Sequence, residues 1–224
     1  MAYLDDFESY LTHAPILHGA APMGSGAHAD KAGYVLEGGV YVHAKIDNGQ
    51  PEASEMVHAE VAAWRVVRAL EWPDLMPATI LREVPYGGSY CKAAVQIVWQ
   101  FANAGEPLTT FSDEEKFRAA IVDAVILHAD RHPTNWLAVD SMDGSRKVMK
   151  LIDNGYAFGV GGRPSGSEPV QAMTGQPLAD SHCRALQLLI SRLDTLSTLL
   201  DPARVDAVRQ RAQHLVTQRL LGVV

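Results

Sequence analysis

Along the first half of the chain the apolar positions change period several times, and each period predicts an element. Val40, Val42, Ala44 and Ile46 alternate with Tyr41, His43 and Lys45, the spacing of a half-buried strand with the lysine on the face opposite the valines. Gly38-Gly39 just before it predicts a tight hairpin. From Ser54, an N-cap residue type, Val57, Val61, Trp64 and Val67 or Arg68 fall at helical spacing, so a helix is expected to run to residue 72, where Pro73 stops it. Glu60 lies between Val57 and Trp64 on that inward stripe. Two further strands are expected over residues 79–84 and 91–101, joined by the turn Tyr86-Gly87-Gly88-Ser89.

Beyond Asn103-Ala104-Gly105 the period becomes mainly helical. Ser112-Asp113-Glu114-Glu115 reads as a capping box opening a helix to about residue 128, with Phe117, Ile121, Ala124 or Val125, and His128 on one stripe. Short strands over residues 136–139 and 148–152 flank the turn Asp143-Gly144. A Gly/Pro-rich loop over residues 155–177 then leads into two helices, 180–200 and 202–221, the second opened by the pair Asp201-Pro202. The pattern is that of an α+β protein: a small antiparallel sheet carrying one helix in residues 1–103, and a mainly helical part in residues 104–224.

Composition narrows the functional classes. The chain has 224 residues, 47% apolar and 20% charged, enough to bury a core and too apolar for general disorder. Its uncharged runs are shorter than a membrane span, and Asp5, Asp6 and Glu8 do not suit a basic signal-peptide start, so membrane insertion is not expected and a cytoplasmic location is. A net charge of −7 offers no general attraction to nucleic acid. Cys91 and Cys183 form no CxxC pair and read as reduced, mostly buried thiols.

Chemistry concentrates in His128-Ala129-Asp130-Arg131-His132-Pro133-Thr134-Asn135, followed after a hairpin by Leu151-Ile152-Asp153-Asn154-Gly155. Asp130, Asn135 and Asp153 are oxygen donors at the ends of apolar elements, a set suited to a hard cation such as Mg²⁺ with phosphate oxygens beside it. Each motif alone also fits a capped loop or an Asn-Gly turn; the two in order, separated by a hairpin, favour a site. These residues resemble the protein-kinase-like superfamily, in particular the branch of phosphatidylinositol 3/4-kinases and HipA-like serine/threonine kinases. Those families carry an Asp-Arg-His-x-x-Asn-like catalytic loop and an Ile-Asp-Asn-Gly or Ile-Asp-Phe-Gly metal motif.

The resemblance implies a bilobal protein-kinase-like fold and an ATP- and Mg²⁺-dependent kinase. Asp130 would accept or orient the proton of the attacking hydroxyl, Asn135 would hold one metal, and Asp153 would bridge metal to the ATP phosphates. Lys45 would hold the α- and β-phosphates, fixed by Glu60; a solvent-facing Lys45 with Glu60 at the stripe's edge is the alternative. Gly24, Ser25 and Gly26 lie where the nucleotide loop belongs, although a lone Gly-x-Gly also fits an ordinary loop. Gln100, Phe101 and Ala102 fall at the hinge, where backbone groups would pair with adenine; a plain strand ending fits the same residues. Asn154 in place of Phe, His128-Ala129-Asp130 in place of His-Arg-Asp and the absence of Ala-Pro-Glu set the chain apart from ordinary eukaryotic protein kinases.

Three rivals share these residues. His128 and His132 are four apart, as in helical zinc sites, but Pro133 disfavours helix at His132, no Glu follows His128, and no third ligand is evident. A non-catalytic nucleotide-binding module would be expected to lack Lys45, Asp130 or Asp153, all of which are present. Transfer of AMP instead of phosphate would use similar residues. As acceptor, a protein Ser/Thr hydroxyl or a small neutral alcohol is preferred to a phosphoinositide, because Arg163 and Glu168 are the only charges between Tyr156 and Ala179. Ser165, Ser167 and Thr174 in that stretch read either as autophosphorylation positions or as ordinary loop residues.

Overall fold

The computed structural model of the chain describes residues 2–25, 29–99 and 102–222. It divides into two compact units, one of Met1–Val61 with Pro77–Trp99, the other of Ala62–Met76 with Gln100–Val224.

The first unit is built on strands β1 (Ile16–Ser25), β2 (Asp30–Leu36), β3 (Val40–Ile46), β4 (Thr79–Tyr86) and β5 (Ser89–Ile97), preceded by helix α1 (Ala2–His13). They form one antiparallel sheet in the order β1-β2-β3-β5-β4. The alternation over residues 40–46 is β3 itself, and the glycine hairpin before it joins it to β2, with Leu36 opposite Val40. The two-glycine turn after Tyr86 likewise joins β4 to β5. Both turns hold their glycines at positive φ, Gly38 and Gly39 at 84° and 78°, a region open to glycine without a Cβ penalty. Helix α1 and β1 carried no periodic signal of their own; α1 is tied to the sheet by Arg82 of β4, whose Nη1 donates to the carbonyls of Leu11 and Ala14 at 2.8 and 3.1 Å.

Helix α2 (Pro51–Ala69) starts three residues before the expected Ser54. Pro51 has its φ already set for a first helical turn, and the Gln50 carbonyl accepts the amides of Ala53 and Ser54. The helix also ends before Pro73: Glu71 adopts φ 63°, and Pro73 opens a short 3-10 turn, Pro73–Leu75.

In the second unit, α3 (Asp113–Ile126) opens with the expected capping box, the Glu115 amide donating to Ser112 Oγ at 3.3 Å and the Ser112 amide to Glu115 Oε2 at 3.2 Å. Nearly every residue from Ala119 to Leu127 is buried, so α3 is a core helix and not an amphipathic one. A small antiparallel sheet in the order β6-β7-β8 joins β6 (Asn103–Ala104), β7 (Trp136–Asp140) and β8 (Lys147–Leu151). The stretch expected as open loop contains α4 (Glu168–Met173), N-capped by Ser167. The long helix expected over residues 180–200 is α5 (Asp180–Ser191), then a 3-10 turn Leu193–Leu196. Arg192 interrupts it: its guanidinium donates to the Ala69 carbonyl at 3.2 Å and to Glu71 at 3.1 Å, at the end of α2. Helix α6 (Pro202–Gln218) starts as expected, with the Arg204 amide on Asp201 Oδ1 at 2.9 Å. Both cysteines are free thiols, Cys183 buried and Cys91 half-buried. Among the described residues no helix is long and apolar enough to cross a membrane.

Candidate active site

In the first unit, β3 lies between β2 and β5, with Lys45 opposite Lys31 on one side and Ala94 on the other. The alternation places Lys45 away from the valines, yet it is only 5% exposed. Glu60 of α2 is 4% exposed, and Lys45 Nζ is bonded to Glu60 Oε1. A buried ammonium or carboxylate is costly unless paired, and each side chain supplies the other's opposite charge. Gly24 and Ser25 close β1, where Ser25 registers with Asp30 at the start of β2. Gly26, Gln100 and Phe101 lie outside the described residues, and Ala102 is half-buried just ahead of β6.

In the second unit the chain leaves α3 through Leu127, whose left-handed φ of 52° ends the helix while its amide still donates to the Asp123 carbonyl. His128 therefore sits two residues past the helix, 1% exposed. Its Nδ1 accepts the Asp130 amide at 3.3 Å, so the proton sits on Nε2, which donates to the Asp153 carbonyl at 2.9 Å. One imidazole thus links the residue expected to handle the hydroxyl proton to the residue expected to hold metal. Both ring nitrogens are engaged in these bonds, which makes His128 unsuitable as a zinc ligand.

Asn135 is held as tightly. Its Nδ2 donates to the Asp130 carbonyl at 2.7 Å, which fixes the amide's orientation and leaves Oδ1 as the atom for a cation. The Asn135 carbonyl accepts the Ile152 amide at 3.1 Å, joining the catalytic loop to the end of β8. Asp153 follows with φ 57°, a conformation that aspartate tolerates better than most residues and that turns the chain sharply out of the strand. The Asp130 carboxylate is exposed, with Oδ2 3.8 Å from His132 Nε2.

Sequence reasoning missed what these contacts are built on. Arg131 is wholly buried and uses all five of its N–H groups. Nε reaches Asp123 Oδ1 at 3.2 Å; Nη1 donates to the carbonyls of Asn135 and Ile152 at 2.8 and 2.5 Å; Nη2 donates to Asp123 Oδ1 at 3.0 Å and Asn154 Oδ1 at 2.7 Å. Asp123, also without exposure, accepts Ser167 Oγ at 2.8 Å. The Glu168 amide returns to the Arg131 carbonyl at 3.0 Å. Ser167 is therefore a buried anchor, closed to modification in this fold. The one available signal was a lone carboxylate, Asp123, inside the apolar run Ala119-Ala120-Ile121-Val122-Asp123-Ala124-Val125-Ile126, since such a group must find a cationic partner.

The stretch after Asp153 is pinned at two more points. A Cβ on Gly166 would lie 1.9 Å from the Ala129 carbonyl oxygen, so only glycine allows this approach to the catalytic loop. Arg211 of α6 donates to the Val125 carbonyl at 2.7 Å and the Gly159 carbonyl at 3.0 Å, and burial brings its guanidinium down to about 10.

Asn135 and Asp153 fit a hard divalent cation: an amide oxygen and a carboxylate are the oxygen donors Mg²⁺ takes alongside phosphate and water. The tether on Nδ2 presents the oxygen of Asn135 and not its nitrogen. Among the described residues, no group of three or more His, Cys, Asp or Glu side chains gathers as a metal cluster.

No family model matches the chain, and no curated protein matches it in sequence. Solved structures do resemble it. The crystal structure of the Golgi casein kinase with Mn/ADP bound matches with a TM-score of 0.66 and 15% identity over 98% of this chain and 76% of that one. A second crystal structure of the Golgi casein kinase gives 0.65 and 15% over 96% and 75%. The Helicobacter pylori proinflammatory kinase CtkA gives 0.54 and 10% over 94% of each chain. At such identities the likeness is one of fold. The chain has a protein-kinase-like fold, α+β, with an antiparallel-sheet N-terminal part and a mainly helical C-terminal part.

Proposed function

We propose that the chain is an ATP- and Mg²⁺-dependent kinase that transfers the γ-phosphate to a hydroxyl, in first place that of a protein Ser or Thr, and that it belongs to the HipA-like and phosphoinositide-kinase-like branch. The observation that carries this reading is the tethering of Asp130, Asn135 and Asp153 to one another through His128 and Arg131. A turn or a plain loop has no use for a fully buried arginine that fixes the Asn135 and Ile152 carbonyls and the Asn154 side chain. The structural neighbours, kinases in each case and one with Mn/ADP bound, support the same reading.

In this reading Asp130, whose carboxylate is exposed, orients the acceptor hydroxyl and takes its proton as the oxygen attacks the γ-phosphorus and the bond from that phosphorus to the ADP oxygen breaks, ADP leaving. Lys45, held by Glu60, steadies the α- and β-phosphates. Asn135 and Asp153 hold the metal, which when bound neutralises charge on the transferring phosphoryl group. Backbone groups of Gly24, Ser25 and Gly26 approach the phosphates, and those of Gln100, Phe101 and Ala102 receive adenine. Residues 1–103 serve as the nucleotide-binding lobe and residues 104–224 as the catalytic one. The scarcity of charge between Tyr156 and Ala179 favours a neutral acceptor over an inositol phosphate headgroup.

Incubation with γ-labelled ATP, and in parallel α-labelled ATP, tests the assignment. Label from the γ-position alone, lost in Asp130→Ala and Asp153→Ala, is the expected result. Label surviving both substitutions would sink it. Retention of label from the α-position would indicate AMP transfer, and Mg²⁺-dependent ATP binding without any transfer would indicate a binding module.

A further inference from the structure

The bonds around Arg131 reach beyond the motif residues. Asp123 is seven residues ahead of Asp130 in α3, and Ser167 is fourteen residues beyond Asp153, yet both meet at one carboxylate in the interior. Asp123 holds Arg131; Arg131 holds the Asn135 carbonyl, the Ile152 carbonyl and the Asn154 side chain. Those groups bracket the two proposed metal ligands: Asn135 is itself a ligand, and Ile152 and Asn154 stand on either side of Asp153. Ser167 closes the set from the far side and N-caps α4, the Val170 amide donating to its Oγ at 3.3 Å.

We propose that Asp123 and Ser167 are positioning residues for divalent-cation binding at Asn135 and Asp153, acting through Arg131; this rests on the kinase reading above. Neither touches the cation. Every N–H of Arg131 is committed, so its fork can turn only if several bonds break together, and the orientation of the Asp153 turn follows the fork. Groups that orient metal ligands from behind commonly set affinity by about 10- to 100-fold. Ser167 adds a distinct consequence. Its bond to the Asp123 carboxylate that holds the fork, the Glu168 amide on the Arg131 backbone carbonyl and the close approach of Gly166 to Ala129 fasten the segment after the metal motif to the fork's partner and to the catalytic-loop backbone. Cation binding and the placement of that segment are therefore coupled through the Asp123–Arg131 pair and the loop that carries it.

The test measures binding and not turnover. Mn²⁺, an EPR-visible stand-in for Mg²⁺ in oxygen sites, is titrated into the full chain with saturating ADP, and ADP affinity is measured separately without metal. Asp123→Asn is expected to weaken Mn²⁺ binding by about 10- to 100-fold, with metal-free ADP affinity unchanged. Ser167→Ala, the milder variant, keeps the fold if Asp123→Asn does not, and is expected to weaken Mn²⁺ by several-fold with its melting transition still cooperative. The exposed neighbour Ser165→Ala should bind Mn²⁺ as wild type does. Folded Ser167→Ala and Asp123→Asn proteins with wild-type Mn²⁺ affinity would overturn the proposal alone, as would an equal loss in Ser165→Ala or a parallel loss of metal-free ADP affinity. A wild-type chain that binds neither ADP nor Mn²⁺ would overturn it together with the kinase reading.

Discussion

Each unit of the molecule buries a cation against a carboxylate, and the two pairs are built differently. Lys45 and Glu60 meet side chain to side chain, a strand joined to a helix by a compact ammonium. Arg131 and Asp123 form the middle of a set that also takes in two backbone carbonyls, an asparagine and a serine. The difference bears on what each cation can do. A lysine on a flexible stem can re-aim its charge at a phosphate, whereas a guanidinium whose five donors are all bonded to protein is scaffolding. Arg131 sits inside the most suggestive motif of the chain and is nevertheless structural; Lys45 sits in an ordinary strand and is the better candidate to meet a ligand.

The contrast can be broken by substitution, and Asp123→Ala should do most. Removing one partner of a fully buried pair leaves Arg131 charged and uncompensated, so the loss should be about 3–5 kcal/mol, read by urea unfolding. Next comes removal of both charges. Asp123→Leu with Arg131→Met takes away the donors bonded to the Asn135 and Ile152 carbonyls and the acceptor of Ser167, and should still cost at least about 2 kcal/mol, since buried groups left unsatisfied cost about 1–3 kcal/mol each. Lys45→Met with Glu60→Leu should stay within about 1 kcal/mol of wild type, because a side-chain ion pair exchanged for apolar groups of similar size is often neutral. On the proposed kinase reading, the transfer of label should nonetheless disappear. Equal costs for the two double variants would show that the pairs are not different in kind.

Smaller changes sharpen the same point. In Gly166→Ala the new methyl meets a backbone oxygen that cannot swing aside, so the loop must move, at about 1–3 kcal/mol, with altered amide shifts at Ala129 and Asp130 by NMR. Ser167→Ala should cost about 1 kcal/mol, a drop in melting temperature of about 2–4 °C for a chain of this size. A melting temperature unchanged in Ser167→Ala would show that the Asp123 carboxylate does not depend on its hydroxyl donor.

Much of the architecture was legible because it is local. The period-2 run of β3, the two-glycine hairpins, the capping box at Ser112 and the Asp201-Pro202 start each rest on neighbours within four residues, and each stands where its pattern puts it. Where local signals competed, the outcome depended on packing. The stretch over residues 180–200 is apolar enough for one helix, but Arg192 is drawn to the end of α2 and the helix stops. The stretch over residues 155–177 looks like open loop, but Ser167 finds both a cap and a buried carboxylate, and α4 forms.

In the candidate site the division is sharper. The sequence by itself determined the residue types and their order: Lys45 and Glu60, then Asp130 to Asn135, then Asp153, because those follow from motif spacing and the hydrophobic stripes around them. It could not determine that His128 bridges Asp130 to Asp153, that Asp123 and Ser167 lie behind the motif, or that Gly166 must be glycine. Those facts join residues up to 44 positions apart in the chain, and nothing in a local pattern says which buried donor will meet which buried acceptor. Tertiary structure decided them, since a charge taken out of water has to be answered by whatever the fold brings within about 3 Å.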